Sequence, residues 1–324
     1  MKRVVLIIAL LAFAAPLTPG GLDETRATLR EHVLKLINRD RQLYNLPPVA
    51  LDLHASVMGD EYCRTQIRNR TTGHFTIDGV PPYARYSFAG GNDAVSENAA
   101  AWSANYRFND RALYEMARRS QDAMMAEMPP HDGHKRSILD PHATHVGIGL
   151  AWEGGEFRLV QEFVRRYVEW MRPLPRDAHV DDVVTLLGRP LDGAKVEGIT
   201  VHHEPLPQAM AVATANALMT YTLPDNRKEY LPRLRTEYSK GANGTIDIVR
   251  REYVDGRKGD FPIAKDSSFS FTVPFTEGPG LYTVVVWIRK DGAPTPVSVS
   301  NVSLRVEGPT ETLTRASSVR SRER

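Results

Sequence analysis

Apolar residues keep a helical spacing through much of the first 127 positions and break into short β-like runs beyond about 180. From Asp23 to Arg41, Leu29, Val33, Leu34 and Ile37 recur at helical intervals, with Asp23 as a candidate cap. Asn45-Leu46-Pro47-Pro48 ends that helix. A second helix is predicted from Asp52 to Arg68, with Leu53, Val57, Tyr62 and Ile67 on its apolar positions, closed by the breaker cluster Asn69–Gly73. Residues 74–95 carry Gly, Pro and aromatic residues without a period, and a loop of that length inside a domain usually has a function. Ser96 to Trp102 reads as a short helical segment. Asn109 or Asp110 opens a longer helix to about 127, with Leu113, Met116, Met124 and Met125 inward. Val146–Trp152 and Phe157–Phe163 read as strands joined by the hairpin signal Glu153-Gly154-Gly155-Glu156.

Past the Pro-bearing stretch Met171–Arg176 the texture is β throughout. Runs at 183–187, 196–201, 218–223, 245–253, 269–273, 280–288 and 297–306 are separated by Gly, Asp, Asn and Pro, which predicts an all-β sandwich. The chain therefore divides into a leader (1–20), an α+β unit (23–170), a linker (171–178), a β-sandwich (179–307) and an apolar-poor basic tail (308–324). The leader has Lys2 and Arg3 before an apolar run from Val4 to Ala15, with small residues at Ala12 and Ala14. This is the pattern of a secretory signal, with an uncleaved N-terminal anchor as the alternative. The apolar run is short for a membrane span.

A net charge of +2 gives no footprint for nucleic acid or an acidic membrane. With Cys63 as the single cysteine no internal disulfide is possible, so an exported chain must fold by burial alone. Cys63 is expected to face the core of its helix as an inert thiol. The sequons at Asn69, Asn243 and Asn301 are read as chance matches.

Candidate chemistry concentrates at 131–149, where His131, His134, His142 and His145 fall among ten histidines in the whole chain. Imidazole is a common metal ligand. Gly133 and Pro141 break any shared helix face, so a site here must draw on other segments. His202 and His203 are adjacent, so on a strand they point to opposite faces and do not share an ion; both are read as strand surface. No Ser/His/Asp or Cys/His arrangement with motif context is visible.

Several separated blocks resemble one family. They are Asn38-Arg39-Asp40-Arg41 with Leu46-Pro47-Pro48-Val49-Ala50-Leu51; Gly73-His74-Phe75 with Asp78-Gly79, Pro82 and Arg85; Ser96-Glu97-Asn98; Gly133-His134-Lys135-Arg136-Ser137-Ile138-Leu139-Asp140-Pro141; and Val146-Gly147-Ile148-Gly149. In this order, over about 27–168, they resemble the superfamily of cysteine-rich secretory proteins, antigen 5 and pathogenesis-related proteins (the CAP or SCP-like domain), in its cysteine-poor bacterial branch. The departures are Ser96 for Gly, Lys135 for Arg and Ser137 for Asn, with Met124 where many bacterial members carry Trp. The resemblance implies an α-β-α sandwich over its own span, and the β runs of 179–307 are read as an immunoglobulin-like sandwich after it. The resemblance also implies a cleft with two histidines and two glutamates, which fall on His74, His134, Glu97 and Glu127.

Two imidazoles with Glu97 and Glu127 either fixing their tautomers or ligating directly suit zinc or another divalent metal. Three readings follow. One is an exported ligand-binding module of the cell envelope or extracellular space, taking a lipid, glycan or protein ligand, with no nucleic acid and no integral span beyond the leader. Another is a metal-assisted hydrolase of peptides or esters with Glu97 or Glu127 as base. The last is a scaffold in which these residues form a satisfied polar network.

Overall fold

The structure is a computed structural model and describes residues 19–234, 237–240, 245–249, 251–290 and 294–310. The leader up to residue 18, the tail from 311 and the sequon at Asn243 lie outside the described residues. In chain order the first unit contains α1 (Pro19–Leu43), β1 (Ala50–Leu51), α2 (Leu53–Asn69), α3 (Pro82–Phe88), β2 (Ala94–Ser103), α4 (Asp110–Met125), α5 (Gly133–Ile138), β3 (His145–Glu153) and β4 (Glu156–Arg165).

One sheet, ordered β1-β3-β4-β2, runs through this unit. Leu29, Val33 and Ile37 of α1 and Leu113, Met116 and Met124 of α4 bury against Ile148, Leu150, Phe157, Leu159 and Phe163 on one face. Tyr62 and Cys63 of α2 bury against Ala151 and Val160 on the other. The result is three layers, α-β-α, and a central strand β4 wetted on neither face. Helix α2 lies unusually close to β3 because both surfaces are bare at the crossing. A Cβ on Gly147 would stand 2.4 Å from that of Ala55, and one on Gly149 would stand 2.2 Å from the Gly59 carbonyl carbon. Any side chain at either position would push the helix off the sheet. Asp52 caps α2 by accepting from the Ala55 N–H.

The second unit contains β5 (Val168–Trp170), β6 (Asp177–His179), β7 (Thr185–Pro190), β8 (Lys195–Glu204), α6 (Val212–Ala217), β9 (Arg227–Tyr230), β10 (Glu237–Lys240), β11 (Ile246–Val249), β12 (Phe269–Thr272), β13 (Gly280–Arg289), β14 (Val297–Ser298) and β15 (Val302–Glu307). Sheets ordered β12-β7-β5 and β6-β15-β13-β8-β9 share one core. Leu186, Phe269 and Phe271 of the first pack with Ile199, Val201, Val284, Val286 and Leu304 of the second. Strand β6 joins β15 in parallel. The Tyr282 hydroxyl donates to Gly278 O and accepts from the Glu277 N–H, pinning the corner before β13.

Several expectations are corrected. Ser96–Trp102 is not helical. It lies within β2, paired with β4 from Ala94↔Arg165 to Ser103↔Glu156, and that ladder overrides the helix propensity of three alanines. Residues 218–223 are not a strand and pack against the first unit. Leu53 and Val57 are exposed, because α2 turns Ala55, Gly59 and Cys63 to the sheet instead. Asp23 lies inside α1 and caps nothing. Val168–Trp170, read as the end of the first unit, pairs with β7, and β6 begins within the stretch read as linker. His202 is buried, held by Pro224 O, while the His203 ring packs at a tilt against Tyr282 on the other face of β8. Among the described residues no helix is long and apolar enough to cross a membrane.

The two units meet along the edge of β2 and along α3. Tyr83, Ala84 and Leu281 form a small core with Val80, Phe88, Val95, Tyr221 and Leu223. The Ser303 N–H donates to Ser87 Oγ, and the Arg305 guanidinium lies 3.7 Å from the Phe88 ring centre. Strands β8 and β9 are neighbours, yet residues 205–226 between them make a long excursion over the first unit. That strap is tied down by Met210 N–H to Ile77 O, by Thr72 N–H to Asn216 Oδ1 and by Tyr83 Oη to Glu204 Oε1.

Candidate functional site

His74 and His134 approach each other around the edge of β2, with ring centroids 6.2 Å apart. Each enters from a different face of the sheet. His74 follows the turn at Gly73, whose φ of 84° favours glycine, and its Nδ1 lies 2.9 Å from Glu97 Oε1. His134 sits in the first turn of α5, with Nδ1 2.5 Å from Glu127 Oε1. Glu127 also accepts the His134 backbone N–H at 2.9 Å, so one carboxylate caps the helix and orients the ring. The four residues expected at the site are thus brought together as two His–Glu pairs.

The pairs differ in burial. The side chains of His74 and Glu97 are 7% and 0% exposed, those of His134 and Glu127 30% and 23%. Tyr221, from the strap, closes the His74 half. Its ring meets the imidazole edge-on at 4.9 Å between centroids, and its hydroxyl accepts the Glu97 N–H at 2.5 Å. Burial, and then the charge of Arg85, lowers the His74 pKa to about 4, so the ring is neutral at pH 7.

Beneath His74 lies a buried charge network. Arg85 pairs with Glu97, donates to His74 O at 3.0 Å and rests its guanidinium 3.5 Å from the Tyr62 ring centre. The same Arg85 nitrogen stands 3.5 Å from Glu162 Oε1, an ionic contact too long for a good hydrogen bond. Glu162 is the cross-strand partner of Glu97 and fully buried. One cation cannot neutralise two carboxylates there. Burial, followed by repulsion from Glu97, pushes the Glu162 carboxyl well above the usual range, and it carries the proton. The protonated Glu162 carboxyl hydrogen-bonds Glu97, while Asn98 Oδ1 and Arg85 Nε have no hydrogen-bond partner among the described residues. The polar network expected of a pure scaffold is therefore left open at Asn98 and Arg85.

Glu162 was not a candidate in the sequence. The signal for it is the pair Gln161-Glu162 inside an apolar strand: adjacent polar residues point to opposite faces, and both faces of β4 are covered. Gln161 belongs to a second buried chain, Asp40–Gln121–Gln161–Asn98, which ends with the Asn98 amide donating to His134 O. Arg41, fully buried, donates to Ile138 O and Asp140 O at the other end of α5. The motif blocks at 38–41 and 133–141, far apart in sequence, are one contact that fixes His134.

The remaining histidines stay outside. His131 is exposed, and His145 bonds Thr144 at the start of β3. Cys63 is free and buried, its thiol pushed up by burial, which makes it inert. Among the described residues no three His, Cys, Asp or Glu side chains form a metal cage.

The sequence profile of the cysteine-rich secretory protein family, CAP, matches residues 34–163. That segment belongs to the CAP superfamily. No curated protein matches the chain. Among solved structures, the chain is similar to an extracellular protein containing a SCP domain from Bacillus anthracis str. Ames, with 18% identity and a TM-score of 0.37. The match covers 47% of this chain and 45% of that one, so the chain spans under half of that protein's length. Within the CAP segment, β2, α5 and β3 carry the blocks around Glu97, His134 and Gly147.

Proposed function

We propose that this protein is an exported ligand-binding module whose CAP cleft holds a divalent cation between His74 and His134. The leader pattern at 1–20 supports export, to the extracellular space or the periplasm, and association with the cell envelope. The observation that carries the metal reading is the shared design of the two imidazoles. Each has its Nδ1 against a carboxylate, which leaves Nε2 as the free lone pair. Imidazoles sharing one zinc at the usual Zn–N length keep their centroids roughly 5–6 Å apart, close to the spacing here. With two protein ligands, water or a ligand group completes the shell, which is the open site a binding module needs. The ligand is a lipid, glycan or polypeptide of the surroundings.

Glu97 is a poor hydrolytic base, because Arg85 and His74 occupy its carboxylate. A metal-assisted hydrolase would rest on Glu127, which is reachable from solvent but bound to His134. For the second unit we propose an immunoglobulin-like sandwich. Its support is the strand order of the two sheets, the parallel β6–β15 edge and the Tyr282 corner. Calorimetric titration with zinc tests the cleft: uptake by the wild type, lost in His134→Ala and in His74→Ala, is the expected result. No uptake by the wild type ends the metal reading.

A further inference from the structure

Strand β2 is an edge of its sheet, and its outward N–H groups follow a simple parity. The Ala104 N–H donates to Gly155 O, continuing the β2–β4 register, so from Val95 on the odd-numbered N–H groups face outward, while at the strand's start the Ala94 N–H donates to Val299 O. The outward groups of Val95 and Glu97 are taken by the second unit. Asn301 Oδ1 accepts from Val95 at 2.9 Å and Tyr221 Oη from Glu97 at 2.5 Å. These two side-chain oxygens stand where successive carbonyls of a further strand would stand. Asn301, one of the sequons, is buried in this role.

The row does not stop there. The outward N–H groups of Ala99, Ala101 and Ser103 have no hydrogen-bond partner among the described residues. Ala101 and Ser103 are exposed and Ala99 is partly so. Edges are normally guarded by charge, proline or a bulge. Ala99-Ala100-Ala101-Trp102 has none of these, and its pairing with β4 shows no shift of register. The open stretch begins beside the histidines, since Asn98 bonds His134 O and Glu97 bonds His74.

We infer that the edge of β2 from Ala99 to Ser103 docks an extended polypeptide segment, which pairs as the next strand and ends against His74 and His134. The inference rests on the ligand-binding reading above and names its ligand class. A peptide fits better than a second copy of the chain. The stretch is closed at one end by Tyr221 and at the other by the 104–108 turn, where Phe108 bonds Gly154 O. Pairing over so few residues covers far less than the roughly 1,200 Å² that a specific dimer buries. Main-chain hydrogen bonds supply affinity in such strand addition, and alternate side chains supply specificity. Here those side chains would project toward the 70–74 loop on one face and α5 on the other.

The test uses the full chain, a random heptapeptide display library and synthetic copies of the selected peptides. Selected peptides should lose about tenfold or more in affinity, the loss of about one hydrogen bond, in Ala101→Pro and stay near wild type in Ala101→Ser. Proline there removes an outward donor and leaves the β4 ladder intact. If Ala101→Pro does not fold, amide exchange on the wild type decides: the peptide should slow exchange at Ala99 and Ala101. No enrichment of peptides, equal binding by a folded Ala101→Pro, unchanged exchange, or self-association of the chain abolished by Ala101→Pro would each overturn the inference. Zinc uptake without peptide selection leaves the cleft reading standing and removes the edge. Peptide binding without zinc uptake does the reverse.

Discussion

The two halves of the cleft use one device in opposite surroundings. On the His134 side, the carboxylate of Glu127 is partly exposed and spends itself on a ring nitrogen and backbone N–H groups of a short helix. On the His74 side, Glu97 is sealed under Tyr221 and tied to a buried arginine that serves a second carboxyl as well. The first arrangement can lose a partner to water. The second cannot, because water is excluded and each charge depends on the next. A ligand therefore meets the adaptable half first, and the rigid half fixes the geometry it finds.

The largest effect should come from removing the one cation of the sealed half. Arg85→Met leaves the buried Glu97 carboxylate without its counter-charge and should cost about 3–5 kcal/mol in urea unfolding. Glu127→Gln, on the open side, should cost no more than about 1 kcal/mol. Equal losses would erase the distinction between the halves.

Next in size is a pH effect with a definite sign. The folded protein keeps a proton on Glu162 that the unfolded chain releases above its ordinary value of 4.5. Its contribution to stability must fall as pH rises from there, by at most about 1.4 kcal/mol per pH unit. His74 acts in the other direction. Its folded pKa of about 4 lies below its ordinary 6.5, so stability falls as pH drops through that interval. Glu162→Gln should flatten the alkaline limb and leave the acid limb. Parallel profiles for the two proteins above pH 5 would show that Glu162 carries no proton.

Legibility in the sequence followed periodicity and spacing. The hairpin at 153–156 and the strands on either side were readable, since alternation and turn chemistry agree there. The His–Glu pairs were readable only through motif blocks, because each pair joins segments that no local pattern connects. Strand β2 was misread because Ala-Ala-Ala favours a helix when no partner strand is in view. Arg85 was placed in its loop motif without its role, and Glu162 passed as one polar residue of a strand. Charge pairing inside a core depends on which faces are covered, and coverage belongs to the tertiary fold. Tyr221 had no signal at all. It reaches the cleft from a segment read as a strand of another unit, more than 120 positions from Glu97.

Tyr221 gives the smallest effect and the sharpest test of the comparison. Its hydroxyl and its ring do different work, so two substitutions separate them. Tyr221→Phe removes the acceptor of the Glu97 N–H and should cost about 1 kcal/mol, the net worth of one such bond. The ring stays against His74, so the low His74 pKa should stay near 4 in an NMR titration of the imidazole. Tyr221→Ala also removes the cover, and burial is the first cause of that low pKa. The His74 titration should then climb toward 6.5. If His74 still titrates near 4 in Tyr221→Ala, the strap is not what seals this half. The asymmetry of the cleft would then belong to the CAP domain alone, through Arg85 and the sheet beneath it.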